Sequence, residues 1–212
     1  MLEALRTKLY TAVVGDVLDQ MGCLRHFLPP QIRPLRPDMV VAGRAMPVVV
    51  RDEAGSGGDL FGKLIEALDS LRADDVYLTD GGQTSYALWG ELMSTRALHL
   101  GAAGAVMNGY CRDTEGILAL WFPTFSWGSY ALDIAFRGKV VDYGVPALVG
   151  GVPVKPGDVV FGDRDGVLVI PGGIAEEAVA RALEKVESEN QVREAFRAGM
   201  SAVEAFRKYG VM

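Results

Sequence analysis

Residues 88–115, with the sequence LWGELMSTRALHLGAAGAVMNGYCRDTE, contain the pattern that decides the predicted fold. Glycines mark both ends of a predicted helix in this stretch, Gly90 at its start and Gly101 at its end. The apolar bulk between the two glycines comes from Leu92, Ala97, Leu98 and Leu100. We therefore expect one helix, packed through this apolar set, between two glycine-marked turns.

Short apolar runs on both sides of this helix predict buried strands. Residues 76–79 form the first run, and residues 104–107 form the second. A strand, a helix and a strand that follow one another this closely form a βαβ unit with parallel strands. Ligands of α/β proteins bind beside the carboxyl ends of such strands. Gly90 and the pair Arg112-Asp113 follow two such ends, so we expect them to face one another across a crevice.

The residues at this crevice suit the binding of a small carboxylic acid. The first backbone N–H groups of the helix, at residues 91–93, point out of its start and attract an anion. Arg112 offers a guanidinium that can bind a planar carboxylate by two parallel hydrogen bonds. Asp113 supplies a hard oxygen ligand for Mg²⁺, which would stabilise the enolate formed when a C–C bond next to a 2-oxo acid breaks. Glu91, at the helix start, is a candidate acid or base.

A structural role is the alternative for the same three side chains. Arg112 and Asp113 would then form an ion pair at a strand end, and Glu91 would only complement the helix dipole. An isolated Arg-Asp dipeptide is more often structural than catalytic, so these residues alone leave the choice open.

Three segments of this stretch resemble the signature of the RraA-like family: GELM at residues 90–93, GAAG at residues 101–104 and NGYCRD at residues 108–113. The family includes the class II 4-hydroxy-4-methyl-2-oxoglutarate/4-carboxy-4-hydroxy-2-oxoadipate aldolases and the regulator of ribonuclease E activity A. The resemblance is concentrated in these segments, and it implies a layered α/β fold similar to a swivelling domain.

The resemblance also implies a role for each matching residue. In the aldolases, the acidic residue after the helix-opening glycine acts with a metal-bound water, and here that residue is Glu91. The aspartate after the binding arginine anchors Mg²⁺ or Mn²⁺, which makes Asp113 the expected metal ligand. The expected substrate-binding set consists of Gly90, Glu91, Leu92, Met93 and Arg112, of which Glu91 and Arg112 are the expected catalytic residues.

One position departs from the family pattern. An acid is expected three positions after the aspartate, but this chain has Gly116 there, with Glu115 one place earlier. The departure affects the expected water shell or aldol substrate more than the expected metal site.

Composition is typical of an α/β protein and argues against several other classes of protein. The 212 residues are 50% hydrophobic and include 26 glycines, and we expect a single domain over residues 1–212. The net charge of −6 argues against a non-specific nucleic-acid binder. The two cysteines lie far apart, and no apolar run has the length of a signal peptide or a membrane helix. We therefore expect a cytoplasmic protein that binds neither nucleic acid nor membrane.

The amino-terminal part predicts a helix and two strands. Thr11 is the expected cap of a helix over residues 12–21. Residues 40–45 and 46–50 are predicted as separate strands, divided by no more than a bend.

The carboxyl-terminal part predicts short strands and then helices. From residue 139 onward, short apolar runs with tight turns indicate a compact antiparallel layer packed on the βαβ unit. An amphipathic helix over residues 174–197 and a last short helix capped by Ser201 follow. These patterns predict a βαβ core, a C-terminal antiparallel β layer and C-terminal helices, and the family resemblance implies that they form a layered β/β/α arrangement.

Residues 54–64, AGSGGDLFGKL, partly match the phosphate-binding loop G-x-x-x-x-G-K, which would end at Lys63. Leu64 stands where Ser or Thr would contact Mg²⁺, and apolar residues at helical spacing indicate a helix that begins near Asp59. We therefore interpret the glycines as a mobile loop at the mouth of the site rather than as a nucleotide site.

Two functions remain open from the sequence. The first is a class II, metal-dependent pyruvate aldolase or oxaloacetate decarboxylase, a lyase that cleaves the C–C bond next to a 2-oxo acid. The second is a non-catalytic protein-binding regulator similar to the ribonuclease E regulator. Chains of the resembling family form homotrimers or dimers of trimers in which a neighbour's acid completes the site, and we expect the same assembly here.

Overall fold

The computed structural model describes residues 1–53, 60–81 and 85–210 of the chain. Its helices are α1 (Leu2–Thr7), α2 (Thr11–Gln20), α3 (Leu64–Asp69), α4 (Glu91–His99), α5 (Thr114–Ala119), α6 (Ala175–Arg197) and α7 (Ala202–Tyr209). Its strands are β1 (Arg33–Pro34), β2 (Val41–Asp52), β3 (Asp75–Thr79), β4 (Gly104–Met107), β5 (Thr124–Ser126), β6 (Gly138–Tyr143), β7 (Ala147–Val149), β8 (Val152–Val154), β9 (Val159–Asp163) and β10 (Gly166–Ile170). The predicted α/β class is confirmed.

Most of these strands form one mixed sheet in the order β1-β5-β4-β3-β2-β9-β10. The four central strands, β2 to β5, run parallel, whereas β1, β9 and β10 are antiparallel to their neighbours. Helix α4 connects β3 to β4, which confirms the predicted βαβ unit. The C-terminal antiparallel strands mostly extend this same sheet, while β7 and β8 form a separate hairpin.

Strand β2 corrects one prediction, because residues 40–45 and 46–50 do not form two strands. The strand runs without interruption over Val41–Asp52. Its first part pairs with β9 and its last part pairs with β6, and the register shifts between Val49 and Val50. The bend expected from the sequence is therefore an irregularity within one continuous strand, which lets it exchange one partner for another.

The central strands bury side chains on both of their faces. Val76, Leu78 and Val106 belong to one apolar cluster, which also includes side chains of the β7–β8 hairpin. Tyr77 and Met107 point the other way and pack with side chains of α3, α4 and α5. Burial on both faces explains why these strands are continuous apolar runs in the sequence.

The helices at the two ends of the chain pack together, since α2 contacts α6 and α6 contacts α7.

The prediction that Thr11 caps a helix is wrong, because Thr11 is itself the first residue of α2. Its N–H and its hydroxyl both donate to the carboxylate of Asp163 at 2.7 Å, which satisfies the helix start from outside. The predicted helices near the carboxyl end are confirmed, and Ser201 caps α7 in a capping box.

Two residues of the partial match to the phosphate-binding loop, Gly62 and Lys63, have structural roles in the described part of the chain. Gly62 has a positive φ of 59°, and a β-carbon there would collide with the carbonyl of Val140. Lys63 forms an ion pair across to β6, and α3 begins directly after it rather than near Asp59. Residues 54–59, which contain most of the glycines of the predicted mobile loop, lie outside the described residues.

Among the described residues, no helix is both long enough and apolar enough to cross a membrane. The longest helix, α6, has 23 residues, but glutamate and arginine recur along it. Cys23 and Cys111 are both free thiols.

Candidate active site

The turn before α4 and the turn after β4 lie side by side. A short parallel pairing joins the two segments, and the N–H of Arg112 donates to the carbonyl of Trp89 at 2.9 Å. Gly90 is thereby placed beside Arg112 and Asp113. The structure thus brings together the residues that the sequence predicts at one crevice.

Gly90 leaves room for two charged side chains. A β-carbon at this position would lie 2.8 Å from Oδ2 of Asp113 and 3.7 Å from Nε of Arg112. Its φ of −151° is extended backbone that any residue adopts, so the close approach of the side chains is what requires glycine. The carboxylate of Asp113 therefore lies directly against the start of α4.

Asp113 has a left-handed backbone conformation, with φ 55° and ψ 37°, immediately before α5. Aspartate and asparagine adopt this conformation more readily than other non-glycine residues. The side chain is 52% exposed, and its Oδ2 lies 3.6 Å from Nε of Arg112. The turn thus presents the carboxylate to solvent with the guanidinium beside it.

Asp133 is a site residue that the sequence analysis missed. Its Oδ2 lies 3.2 Å from Nη1 of Arg112, so the guanidinium has carboxylates of two aspartates beside it. The backbone brings it there, because the N–H of Ala87 donates to the carbonyl of Leu132 at 2.7 Å. No motif surrounds Asp133 in the sequence, so its position follows from the fold and not from a local pattern.

Glu91 is the first residue of α4, and its side chain contacts two neighbours. The hydroxyl of Thr95, one turn later, donates to Oε1 of Glu91 at 2.6 Å. A β-carbon on Gly116 would lie 2.5 Å from Cγ of Glu91. Any side chain at position 116 would therefore require Glu91 to shift from this arrangement.

A cavity of about 170 Å³ opens where these residues meet. Among the described residues, its charged lining consists of Arg112, Asp113 and Asp133. The apolar side chains of its lining include Phe61, Leu64, Ile65, Leu92, Met93 and Ile134. Such a cavity, apolar with a few convergent charged groups, suits a small organic ligand.

Helix α4 buries fewer of its apolar side chains than the sequence predicts. Ala97 is fully buried, and Ser94 is the other buried residue of the helix. Leu92 is 80% exposed and Leu98 is 47% exposed, so the prediction that they supply apolar bulk to the core is wrong. The helix packs through the small residues Ser94 and Ala97 together with the partly buried Met93 and Leu100, and Leu92 stays exposed at the cavity.

A metal at this site would depend chiefly on Asp113. Within residues 1–53, 60–81 and 85–210, no three His, Cys, Asp or Glu side chains are grouped so that they could hold a metal ion together. Mg²⁺ is commonly bound by one or two carboxylates and keeps several of its waters. A half-exposed aspartate, held against a helix start by a glycine that leaves it room, fits a hydrated ion of this kind.

A model of the RraA-like family, described as Aldolase/RraA, matches residues 11–169. The chain belongs to the RraA-like family. The match begins at the first residue of α2 and ends within β10, so it contains the whole candidate site.

Individual relatives of this RraA-like chain match most of its length. A Halalkalibacterium halodurans protein named "Putative 4-hydroxy-4-methyl-2-oxoglutarate aldolase" is 34% identical over 94% of this chain and 89% of its own length. Protein DlpA of Legionella pneumophila is 29% identical over 94% of this chain, which spans 32% of the length of DlpA. The crystal structure of RraAS2 from Streptomyces coelicolor, an unusual member of the RNase ES inhibitor RraA family, matches with a TM-score of 0.81. At 24% identity over 91% of this chain and 94% of that chain, this similarity shows a shared fold.

Proposed function

We propose that this RraA-like protein is a divalent-metal-dependent lyase that cleaves the C–C bond next to a 2-oxo acid. The reaction would be the retro-aldol release of pyruvate, the decarboxylation of oxaloacetate, or both. The observation that carries the proposal is the meeting of Arg112, Asp113 and the start of α4 in one cavity. The name of the H. halodurans relative supports the same chemistry.

Arg112 and the start of α4 would bind the 2-oxo acid. The guanidinium of Arg112 lines the cavity and can donate two hydrogen bonds to a carboxylate. The backbone N–H groups of Leu92 and Met93 belong to the first turn of α4, where helix geometry leaves them without partners in the helix. We infer that they donate to the same carboxylate or to the 2-oxo group, and the helix dipole favours the negative charge.

Mg²⁺ or Mn²⁺ would be held by Asp113. When bound, the metal supplies a Lewis acid that draws electron density from the 2-oxo group and so stabilises negative charge on the adjacent carbon. Asp113 suits this role because its carboxylate is half exposed, which leaves space for the waters that such a metal retains.

Glu91 is the group to which we assign proton transfer. In retro-aldol cleavage the hydroxyl proton is lost as the carbonyl product forms, and carbon 3 of the released pyruvate gains a proton. Glu91 lies between the cavity-lining residues Gly90 and Leu92, and Thr95 donates a hydrogen bond to its carboxylate. Glu91 is not itself among the described residues that line the cavity, so we assign it the exchange of both protons through a water.

We further infer that the chains associate as a homotrimer or a dimer of trimers, as the family resemblance implies. Large apolar side chains that stay exposed, among them Leu24, Trp121 and Leu148, are consistent with contacts between chains. Light scattering would test this, since the particle should have three or six times the chain mass of 22.8 kDa. A monomer would reject the inference.

A non-catalytic regulator that binds a protein partner is the second candidate function. The description of the matching family names RraA beside the aldolase. A protein-binding surface does not require an arginine, an exposed aspartate and free helix amides around one cavity. The site therefore favours the lyase.

The experiment that distinguishes the lyase from the regulator uses pyruvate alone. Enolisation of pyruvate needs the proposed binding site for the 2-oxo acid and no second substrate. Exchange of the methyl protons for deuterium should be seen by NMR with Mg²⁺ and should stop with a chelator. Pyruvate release from oxaloacetate and from 4-hydroxy-4-methyl-2-oxoglutarate should be tested in parallel. No exchange and no release by the folded protein would reject the lyase and favour the regulator.

Variants at Arg112 and Asp113 complete this test. Asp113→Asn keeps the size of the side chain and tolerates the left-handed backbone, so it should abolish exchange without lowering Tm. Arg112→Ala should raise KM and lower kcat together, since it removes binding of the substrate carboxylate. Exchange that survives in Asp113→Asn would show that Asp113 is not the metal ligand.

A further inference from the structure

We propose that Trp89 and Ser94 are positioning residues that hold the start of α4 in the orientation that binds the 2-oxo acid. This inference rests on the lyase function proposed above, and it concerns two buried side chains to which the proposed reaction assigns no role. It follows from a chain of hydrogen bonds that runs from the indole of Trp89 through Ser94 to the carbonyl of Gly90.

The hydrogen bonds of this chain have a fixed direction. Nε1 of Trp89 lies 2.7 Å from Oγ of Ser94, which lies 3.1 Å from the carbonyl oxygen of Gly90. An indole N–H can only donate and a carbonyl can only accept, so the hydroxyl accepts from the indole and donates its own proton to Gly90. A serine hydroxyl otherwise rotates to suit its surroundings. The indole therefore fixes the direction of the serine proton.

The carbonyl of Gly90 is the first acceptor of helix α4. The N–H of Ser94 also donates to it at 3.1 Å, so this one oxygen accepts two hydrogen bonds from the same residue. The carbonyl shares a planar peptide unit with the N–H of Glu91, which points the opposite way, out of the helix start. Holding the carbonyl therefore sets the direction of the first free N–H group of the helix. The free N–H groups of Leu92 and Met93 belong to the same turn.

Gly90 needs this restraint because the backbone of a glycine is conformationally permissive. The position excludes a side chain, since a β-carbon would lie 2.8 Å from Oδ2 of Asp113. The same absence of a side chain removes the steric limits that would otherwise hold the backbone just before the helix. The buried pair of Trp89 and Ser94 supplies a restraint from inside the protein.

Trp89 also contacts the other half of the site through its main chain. Its carbonyl accepts from the N–H of Arg112 at 2.9 Å, so one residue joins the start of α4 to the arginine. Its ring packs with those of Tyr77 and Phe122, at centroid distances of 4.8 and 5.9 Å. Both of these rings, the indole and Ser94 are at most 1% exposed, so these contacts are complete within one chain and do not depend on a neighbouring chain.

Trp89→Phe tests the proposal, because it removes the indole N–H and keeps an aromatic ring. We expect the Kd for pyruvate with Mg²⁺, and the KM for deuterium exchange into pyruvate, to rise about three- to tenfold, the effect of one hydrogen bond. The saturated exchange rate should change less, because binding of the carboxylate is lost equally from the substrate and from the transition state. A merely structural role gives the opposite result, since a partly unfolded protein has fewer active sites with an unchanged KM. An unchanged Kd and KM would overturn the proposal.

Trp127→Phe is the matched control. The indole N–H of Trp127 is also buried, but it has no hydrogen-bond partner among the described residues, and Trp127 is not among the described residues that line the cavity. The same substitution there should leave the Kd and the KM unchanged. An equal rise in the two variants would show that loss of an indole acts through general packing, and it would overturn the proposal.

A double variant tests whether the two side chains act as one unit. Ser94→Ala leaves the indole N–H of Trp89 buried without a partner, so Tm should fall further than in Trp89→Phe. In Trp89→Phe/Ser94→Ala that N–H is absent as well, so Tm should recover part of the loss. The KM of the double variant should match that of Ser94→Ala, because the indole acts only through the hydroxyl. Increases in KM that multiply would show two independent effects and overturn the proposed linkage.

Exchange by the native protein separates this inference from the function on which it rests. Absence of exchange and of pyruvate release from the native protein would reject the lyase itself. Exchange that responds to Arg112→Ala but not to Trp89→Phe would reject the positioning role alone. The Kd for pyruvate requires no turnover, so it tests the positioning role in either case.

Discussion

A β-carbon on Gly116 would lie 2.5 Å from Cγ of Glu91 and 3.1 Å from its Cβ, so α5 contacts the first turn of α4 through a bare backbone. The space that a side chain at position 116 would fill is occupied by the side chain of Glu91. Glu91, to which we assign proton transfer, therefore has room for its side chain in this position because residue 116 is a glycine.

Gly116→Ala should lower kcat while leaving the fold intact. The added methyl group displaces Glu91, and a displacement of about 1 Å at a reacting group can lower the rate by up to about a hundredfold. Alanine favours the helix by about 0.5–1 kcal/mol relative to glycine, so Tm should fall little or rise. Gly173→Ala is the matched control, because a β-carbon at Gly173 has no neighbour within 4 Å. Unchanged kcat in Gly116→Ala would show that the position of Glu91 is not critical.

Thr95 is predicted to be a positioning residue that acts through Glu91. Thr95→Val keeps the shape of the side chain and removes the hydroxyl that donates to Oε1 of Glu91. We expect kcat to fall by about tenfold, the effect of losing one charge-assisted hydrogen bond, with little change in KM. Thr95→Ser restores the hydroxyl and should recover most of kcat. Equal losses in both variants would indicate a packing role instead.

Asp133 is predicted to compete with the substrate for Arg112. Its carboxylate lies 3.2 Å from Nη1, at a face of the guanidinium that a substrate carboxylate could use. Asp133→Asn removes the competing charge, so the Kd for pyruvate or oxalate should fall by about two- to fivefold, as expected for a partly exposed ion pair. Asp69→Asn, which removes a carboxylate paired with Arg96 away from the cavity, controls for the change in net charge. A higher Kd in Asp133→Asn would show that Asp133 holds Arg112 in its binding orientation.

The sequence suffices to predict the βαβ unit and the neighbourhood of Gly90, Arg112 and Asp113. Apolar runs and terminal glycines are local signals, and the carboxyl ends of parallel strands must meet at one edge of a sheet. The approach of Gly90 to Arg112 and Asp113 follows from this topology. The roles assigned to these residues remain predictions.

Contacts between distant segments could not be predicted from one sequence. Asp133 reaches the site through a backbone hydrogen bond between Ala87 and Leu132, and no residue type at either position signals it. The start of α2 depends on a similar contact. The N–H of Thr11 donates to the carboxylate of Asp163 in β9, whereas the sequence predicts that the Thr11 side chain caps the helix. Such contacts depend on how elements pack, and single-residue preferences do not determine that.

A last prediction concerns stability at acid pH. Arg6 of α1 donates to Oδ1 of Asp74 at 2.6 Å and also to the carbonyl of Ala42, and so joins α1 to the sheet. The hydrogen bond from Arg6 lowers the pKa of Asp74 below its usual value. A carboxyl group whose pKa is lowered by folding stabilises the folded state above its unfolded pKa of about 3.9, and this stabilisation is lost as the pH falls through the folded pKa.

Asp74→Asn should therefore lower Tm at pH 7 by a small amount, equivalent to about 0.2–1 kcal/mol for an exposed pair, and the difference from the native protein should shrink below pH 4. Asparagine tolerates the φ of 64° at this position, so the backbone is not strained by the change. Asp38→Asn is the matched control, because Asp38 pairs with Arg36 only two positions away, and that pair can form in the unfolded chain as well. Its effect on Tm should be smaller, since stability depends on the difference between the two states. A Tm difference for Asp74→Asn that persists unchanged at pH 3 would mean that the residue acts through packing and not through its charge.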